Sequence, residues 1–149
     1  MKQYFIIFGF ILMLSISSCN IGPKPINYGS DECHFCSMTI VDKQHAAQFV
    51  TKKGKVFKFD AAECMMNHLH EIDETTVSMF LVNDYNAPGE LIDATKATYL
   101  ISKNIPSPMG EYLTAFEIKE TAEKSQTDNE GELFTWEELS NRFKIKTGK

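Results

Sequence analysis

The chain has 149 residues, 43% of them hydrophobic and 23% charged, which suits one domain or two small units that share a core. Its formal net charge of −5 argues against a nucleic-acid partner, because phosphate binding requires an extended basic surface. One apolar run lies near the N-terminus, and no later run has the length that a membrane-spanning helix requires.

The N-terminus has the pattern of an export signal. Lys2 precedes an apolar run over residues 4–14, which matches the core of a signal peptide and is shorter than a membrane span. The run leads into Ile16-Ser17-Ser18-Cys19, which resembles the lipobox of bacterial lipoproteins. We therefore expect residues 1–18 to be a signal peptide and Cys19 to be acylated. An ordinary secretory signal that contains a cysteine is the less favoured alternative.

Such an anchor would hold the protein at the cell membrane, facing the periplasm or another extracytoplasmic space. Beyond Cys19, the segment up to Ser30 holds two prolines and two glycines with little apolar content. We expect residues 19–30 to form the lipidated cysteine and a flexible tether. Residues 31–149 are then the folded part, with subunits of about 31–90 and 91–149.

The first unit is predicted to run strand, strand, helix, strand. Asp60 and Glu63 stand three residues apart at the start of the helix, which suits an N-cap and its capping-box partner. Around the turn Lys52-Lys53-Gly54, apolar β-prone residues predict a hairpin. The predicted elements are strands at 46–51 and 55–59, a helix at 61–70 and a buried strand at 77–82.

The second half weakly repeats this order. Thr135 and Glu138 predict a capped terminal helix. The predicted elements are strands within 93–102 and 112–118, a helix at 119–126, a strand at 131–134 and a helix at 136–143. The expected fold class is α+β: two small related strand-strand-helix-strand units packed as one compact region, with a C-terminal helix.

The cysteine count points to metal or redox chemistry. With Cys19 acylated, Cys33, Cys36 and Cys64 remain, and an odd number cannot be fully paired in an oxidising compartment. The CxxC loop Cys33-His34-Phe35-Cys36 alone is compatible with a zinc half-site, a redox pair or a structural disulfide. A second CxxC or HxxxH pair, which zinc normally requires, does not follow.

Three methionines stand near these thiols or on fixed turns. Met38 follows Cys36 by two residues, and a thioether suits monovalent copper better than zinc. Met109 stands between Pro108 and Gly110 on a rigid turn. For each of these two methionines, a ligand and a core residue are equally good interpretations. Cys64 and Met65 lie on one helix face, where a core role is favoured.

These motifs together resemble the NosL family. They are the lipobox cysteine, the loop over residues 33–38, the Asp60-Ala61-Ala62-Glu63-Cys64-Met65 segment, the Pro108-Met109-Gly110 turn and the terminal FTWEEL sequence. Ser37 departs from the glycine usual in the family, a change that stiffens the loop slightly and removes no donor. The resemblance implies a fold of two related units and a copper-binding accessory lipoprotein of the nitrous oxide reductase system.

Carried over by position, the resemblance implies that Cys33, Cys36, Met38 and Met109 lie near Cu(I), with Cys64 and Met65 less certain. It implies a metallochaperone, not an enzyme, anchored through Cys19. The expected partners are nitrous oxide reductase or its maturation ABC-transporter complex. Two rivals remain: an extracytoplasmic thiol-disulfide oxidoreductase that uses the CxxC pair, and a structural lipoprotein with a Cys33–Cys36 disulfide and no metal.

Overall fold

The structure is a computed structural model that describes residues 21–146. The predicted signal peptide and the acylated cysteine, Cys19, lie outside the described residues. Within residues 21–146, no helix has both the length and the apolar content that crossing a membrane requires.

The first unit is a four-stranded antiparallel sheet with one helix. The strand order is β2-β1-β3-β4, and a single 3-10 turn at Glu74–Thr76 leads into β3. Its elements are β1 (Ala47–Thr51), β2 (Val56–Phe59), α1 (Ala62–Leu69), β3 (Val77–Asp84) and β4 (Ala87–Asp93). Phe49 of β1 pairs with Phe57 of β2 and Phe80 of β3, so three aromatic rings cross the sheet side by side.

The second unit is a smaller antiparallel sheet of order β6-β5-β7, followed by a terminal helix. Its elements are β5 (Thr98–Ile101), β6 (Leu113–Phe116), α2 (Lys119–Asn129), β7 (Glu132–Phe134) and α3 (Trp136–Lys146). The expected α+β class, with two strand-strand-helix-strand units and a C-terminal helix, is confirmed.

Strand β4 is the element that the sequence analysis did not predict. Its second and third residues are Pro88 and Gly89, which favour a turn rather than a strand. The strand forms because it lies at the edge of the sheet, where a proline that lacks an N–H is tolerated. It continues the first sheet through Asp93.

One large hydrophobic core joins the two units. It includes Phe59 and Leu69 of the first unit together with Tyr99, Leu113 and Leu139 of the second. Seven of the eight residues of α1 are buried, because this helix lies between the first sheet and the second unit. The inward-facing helix expected from residues 61–70 is thus present.

The segment before Asp31, expected to be a flexible tether, makes defined contacts with the first sheet. Ile26 is buried in the core, and the amide and carbonyl of Lys24 both hydrogen-bond the buried side chain of Gln48, at 3.1 and 2.8 Å. The Tyr28 hydroxyl donates to the side chain of Asn83 at 2.9 Å. The apolar Ile26 and these hydrogen bonds hold residues 24–28 against the first sheet.

The two predicted helix caps have different outcomes. At α3 the Thr135 amide donates to the Glu138 carboxylate at 2.8 Å, and the Glu138 amide donates to the Thr135 hydroxyl at 3.3 Å, which forms the predicted capping box. At α1 the prediction is wrong, because the N-cap is Ala61 and no side chain caps the helix. Asp60 and Glu63 are buried instead, at 2% and 0% exposure.

Candidate metal site

The CxxC segment forms a tight loop with its ends paired. The amide of Cys33 donates to the carbonyl of Met38 at 2.8 Å, and the amide of Ser37 donates to the carbonyl of Cys33 at 2.9 Å. Just outside these residues, Glu32 and Thr39 form an isolated antiparallel bridge. Ser37 has a φ of 62°, a left-handed conformation that glycine adopts more readily. The loop geometry thus explains why a glycine suits this position.

The loop is fastened to strand β2. The amide of His34 donates to the carbonyl of Lys58 at 2.9 Å, and the Lys58 ammonium lies 2.5 Å from the Asp31 carboxylate. This ion pair is the main reason why the pKa of Asp31 is lowered. Because β2 leads directly into α1, the same strand positions both cysteine-bearing segments.

Three thiols meet where the loop contacts α1. The Sγ atoms of Cys33, Cys36 and Cys64 all lie within 4.8 Å of one another, and the Cys64 and Cys36 sulfurs are 3.8 Å apart. All three cysteines are free thiols. Cys33 and Cys64 are 2% and 0% exposed, whereas Cys36 is half-buried. The structure therefore brings Cys64, for which a core role was favoured, into the same cluster as the CxxC pair.

Cys33 is the thiol that ionises most readily. A hydrogen bond from the Cys64 thiol lowers the pKa of Cys33 to about 5, assisted by the backbone amides of Cys36, Asp60 and Phe35, although burial acts in the opposite direction. A thiolate that accepts several N–H donors is stabilised as an anion. At neutral pH the cluster thus holds one thiolate before any ion arrives.

The other two thiols retain their protons. Donation to Cys33, together with burial, raises the pKa of Cys64, and burial is the main cause that raises the pKa of Cys36. A second or third thiolate beside the first is opposed by like charge. A soft cation removes this opposition, so binding a metal here would release protons from Cys36 and Cys64.

Asp60 is a buried carboxyl group beside the cluster that the sequence analysis treated only as a helix cap. Its amide donates to Cys33, and its Oδ1 atom has no hydrogen-bond partner within the described part of the chain. Burial, followed by the charge of Cys33, raises the pKa of Asp60. The sequence did contain a signal for this position of Asp60. Asp60 directly follows an apolar strand and precedes Cys64 by four residues, which places it beside the start of the helix.

The three methionines lie in different environments. Met38 is 52% exposed, so it is not the core residue that one interpretation predicted, and its amide donates to the Cys36 sulfur. Met109 is partly buried and packs against the main core. Met65 is fully buried within that core. Met38 thus shares the loop with the thiols, whereas Met65 has the environment of a packing residue.

A buried hydrogen bond connects α1 to the turn that carries Met109. The Ser107 hydroxyl donates to the Glu63 carboxyl, and the Tyr112 amide donates to the same hydroxyl at 2.8 Å. The turn is closed by a 3.0 Å bond from the Gly110 amide to the Ser107 carbonyl. Burial raises the pKa of Glu63, which favours its protonated form. The sequence indicated Glu63 only as a capping-box partner and gave no signal for Ser107, because their pairing spans 44 residues.

Histidines border the cluster on the side of the aromatic rings. The His34 ring lies 4.6 Å from the Phe57 ring and 5.0 Å from the His68 ring, measured between centroids. Burial and the neighbouring His68 lower the pKa of His34. His68 is 9% exposed and lies 3.1 Å from a carboxylate oxygen of Glu71. His45 is 5% exposed, and its Nδ1 atom lies 2.9 Å from a carboxylate oxygen of Asp42.

Comparison with known proteins identifies the fold and the family. A crystal structure described as the copper chaperone NosL from Shewanella denitrificans superposes with a TM-score of 0.69 at 24% identity, covering 79% of this chain and 95% of that one. A protein named copper-binding lipoprotein NosL, from Stutzerimonas stutzeri, is 31% identical over 121 residues. That alignment covers 75% of this chain, and the chain spans 63% of the relative's length.

The sequence profile of the NosL family matches residues 25–143, which include the cysteine loop, α1 and the Met109 turn. The match also begins at the segment that packs against the first sheet. The chain belongs to the NosL family.

Proposed function

We propose that this protein is a membrane-anchored metallochaperone that binds Cu(I) at Cys33, Cys36 and Cys64 and supplies it for maturation of nitrous oxide reductase. The observation that carries the proposal is the cluster of three free thiols with all Sγ atoms within 4.8 Å. Family membership and the names of the two relatives support copper as the cargo.

The donor set suits Cu(I). Monovalent copper prefers soft sulfur ligands, whereas a structural zinc site is usually completed by four donors. Among the described residues, the cluster of candidate ligands contains three cysteines and no histidine or carboxylate. A hydrogen bond from the Cys64 thiol, assisted by backbone amides, lowers the pKa of Cys33, so these groups favour the first sulfur anion without help from the ion.

Met38 and Met109 are proposed as additional donors. Met38 lies on the exposed side of the same loop, and Met109 is on a turn tied to α1 through Glu63. Met65 was also predicted near the metal, but its complete burial in the core favours a packing role.

The membrane anchor is the second part of the proposal. It rests on the lipobox ending at Cys19 and on the lipoprotein relative. An extracytoplasmic lipoprotein would hold its copper beside the membrane, where a maturation transporter operates. Copper content measured in nitrous oxide reductase from cells carrying Cys36→Ser tests the recipient, and a fully loaded reductase would exclude it.

The decisive experiment is a Cu(I) titration against a competing chelator, using the chain that begins at Asn20. Cys36→Ser, Met38→Leu and Met109→Leu should each weaken Cu(I) binding, the cysteine change by at least about 100-fold and the methionine changes by about 10-fold. Met79→Leu, a methionine of β3 in the first sheet, is the matched control and should bind like the unaltered protein. If the unaltered protein binds no more tightly than all three variants, the copper proposal is wrong.

The low pKa of Cys33 is the observation that favours the oxidoreductase alternative. A redox nucleophile must be reached by its substrate, and Cys33 is 2% exposed. The two functions differ in their response to Met38→Leu, because an oxidoreductase tolerates this change and a copper site does not. Disulfide-exchange activity that survives Met38→Leu, together with unchanged Cu(I) affinity, would favour the enzyme.

A further inference from the structure

The turn between β1 and β2 carries a concentration of positive charge on an otherwise acidic protein. Lys52, Lys53 and Lys55, here called the lysine turn, are all exposed. Within residues 21–146, none of the three forms an ion pair shorter than 4 Å. Asp73 is close enough to Lys52 for their charges to interact. The whole chain carries a net charge of −5, so this local excess of cations is not an average property of the surface.

The lysine turn borders an open groove of about 510 Å³. The residues that line the groove are lysines and threonines: Thr51, Lys52, Lys53, Lys55, Thr75 and Thr76. Gly54 adopts a φ of 80° and its amide donates to the Thr51 carbonyl at 2.8 Å, which fixes the shape of the turn. Most of the groove wall is apolar, so the alkyl parts of these side chains form it. The exposed ammonium groups of the three lysines match the charge of a phosphate ester.

The described N-terminus of the chain lies against the same turn. A Cβ atom placed on Gly54 would be 3.8 Å from the Cγ1 atom of Ile21, and Ile21 is an exposed apolar residue. Two residues of extended chain span about 7 Å at most, so Cys19 is within that reach of Ile21. With acyl chains on Cys19, which is the anchoring part of the proposed function, the bilayer surface must therefore lie beside the lysine turn.

We infer that the lysine turn, together with Ile21, forms a membrane-facing surface that rests on anionic phospholipid headgroups. The acyl chains supply the attachment, and each lysine near an anionic leaflet contributes roughly a fivefold preference for that surface. The negative remainder of the protein is repelled by the same leaflet. These two effects together select one orientation of the domain.

This orientation places the cysteine loop near the membrane surface. The Lys55 ammonium lies 4.3 Å from the centroid of the Phe57 ring, and that ring lies 4.6 Å from the ring of His34 in the CxxC loop. The loop is then presented to proteins that approach along the membrane.

Amine acetylation of the acylated full-length protein tests the inference. The protein is reconstituted in vesicles of phosphatidylcholine, or of phosphatidylcholine mixed equally with phosphatidylglycerol, and the acetylation rate of each lysine is read by peptide mass spectrometry. Lys52, Lys53 and Lys55 should react at least about fivefold more slowly on the anionic vesicles, and high salt should remove the protection. Exposed Lys103 and Lys124 of the second unit are internal controls and should react equally on both.

Three other results would contradict the inferred membrane-facing surface, each in a different way. Equal acetylation of the lysine turn on both vesicle types overturns the inference while leaving the anchor intact. Equal protection by free inorganic phosphate would show a site for a soluble anion instead of a membrane surface. Failure of the protein to float with any vesicle removes the anchor and the inference together, and Cu(I) titration still reports separately on copper binding.

A pair of charge-matched variants provides a second measurement. In the chain that begins at Asn20, the triple change of Lys52, Lys53 and Lys55 to Gln should lower partition into anionic vesicles by at least about 10-fold. The triple change of Lys103, Lys119 and Lys124 to Gln removes the same charge from the second unit and should leave partition within about twofold. Equal losses in the two variants would contradict a specific surface.

Discussion

The two units share one topology, but only one of their helices is enclosed. Helix α1 buries seven of its eight residues and contributes Cys64 to the thiol cluster. Helix α2 is longer, at eleven residues, yet Ala122 is its one buried residue. Both helices follow an antiparallel hairpin and precede a strand. The two units thus have the same order of elements, but only the enclosed helix α1 places a cysteine in the thiol cluster.

The surroundings of the two helices explain this difference. Helix α1 packs against β1, β2, β6 and α3, so both units and the C-terminal helix surround it. Helix α2 contacts the three strands of its own sheet and covers a core of only four fully buried residues, which are Leu100, Ile105, Phe116 and Ala122. A thiol at any α2 position other than Ala122 would be at least partly exposed, whereas Cys64 on α1 is shielded from solvent.

The strongest test of the comparison is a core deletion in α1. Met65→Ala should lower the free energy of unfolding by about 3 kcal/mol, because a fully buried methionine leaves a cavity that the surrounding core closes only partly. Glu123→Ala on the exposed face of α2 should change it by less than about 0.5 kcal/mol. Urea denaturation measures both values.

A volume-conserving change at the same position separates packing from metal binding. Met65→Leu should cost less than about 1.5 kcal/mol and leave Cu(I) affinity unchanged. A large loss of affinity in Met65→Leu with a small loss of stability would instead make Met65 a ligand.

The next largest effect concerns a buried hydrogen bond between the two units. Ser107→Ala removes the donor to Glu63 and the acceptor for the Tyr112 amide, so we expect a loss of about 2 kcal/mol in the free energy of unfolding. Ser125→Ala on α2 removes a hydroxyl that is not part of a buried pair and should cost less than about 0.5 kcal/mol. Thermal unfolding measures both losses. Equal losses in the two variants would show that the buried hydrogen bond stabilises the protein no more than the hydrogen bond of Ser125 does.

A smaller effect is expected in the cysteine loop. Ser37 adopts a left-handed conformation, so Ser37→Gly should raise the free energy of unfolding by about 0.5 kcal/mol after the entropy cost of glycine is included. Glu130 in the second unit has a similar φ of 59°, and Glu130→Gly should give a gain of the same sign. Denaturation of the metal-free protein checks both, and a loss of stability at Ser37 would indicate that its side chain stabilises the loop.

The smallest effect is the pH dependence of the α3 cap. Hydrogen bonds from the Thr135 amide and then its hydroxyl lower the pKa of Glu138 in the folded protein. The stabilisation is therefore present above the unfolded pKa of about 4.3 and is lost as the pH falls through the lower folded value. Glu138→Gln should reduce the slope of unfolding free energy against pH in this window. An unchanged slope would mean that the carboxylate does not stabilise the helix.

The sequence predicted the order of elements because hydrophobic periodicity is a local property. Both strand-strand-helix-strand units followed from it, as did the cap of α3, in which Thr135 and Glu138 are three residues apart. Strand β4 was missed because Pro88 and Gly89 favour a turn locally, and only the neighbouring strand β3 draws them into the sheet. Asp60 and Glu63 have the same spacing as Thr135 and Glu138 but are buried by tertiary contacts that no short motif reveals.

The candidate site, like the fold, was predictable where it depends on local sequence and not where it depends on tertiary contacts. The CxxC loop was found from its spacing, and Cys64 was named from the resemblance although local reasoning favoured a core role. Its approach to Cys36 joins residues 28 positions apart, a contact that depends on the path of β2 and α1. The contributions of Met38 and Met109 to copper binding remain predictions for the titration.

The unequal access to the three sulfurs has a kinetic consequence. Cys33 and Cys64 are closed off, so solvent reaches the cluster mainly through the half-buried Cys36. In the proposed copper site, an arriving ion would meet Cys36 and the exposed Met38 before the two enclosed thiols, and a departing ion would leave them last. The rates of loading and unloading would then depend chiefly on these two residues, whereas the equilibrium affinity would depend on the whole donor set. Selection can therefore adjust how fast cargo is exchanged without altering how tightly it is held.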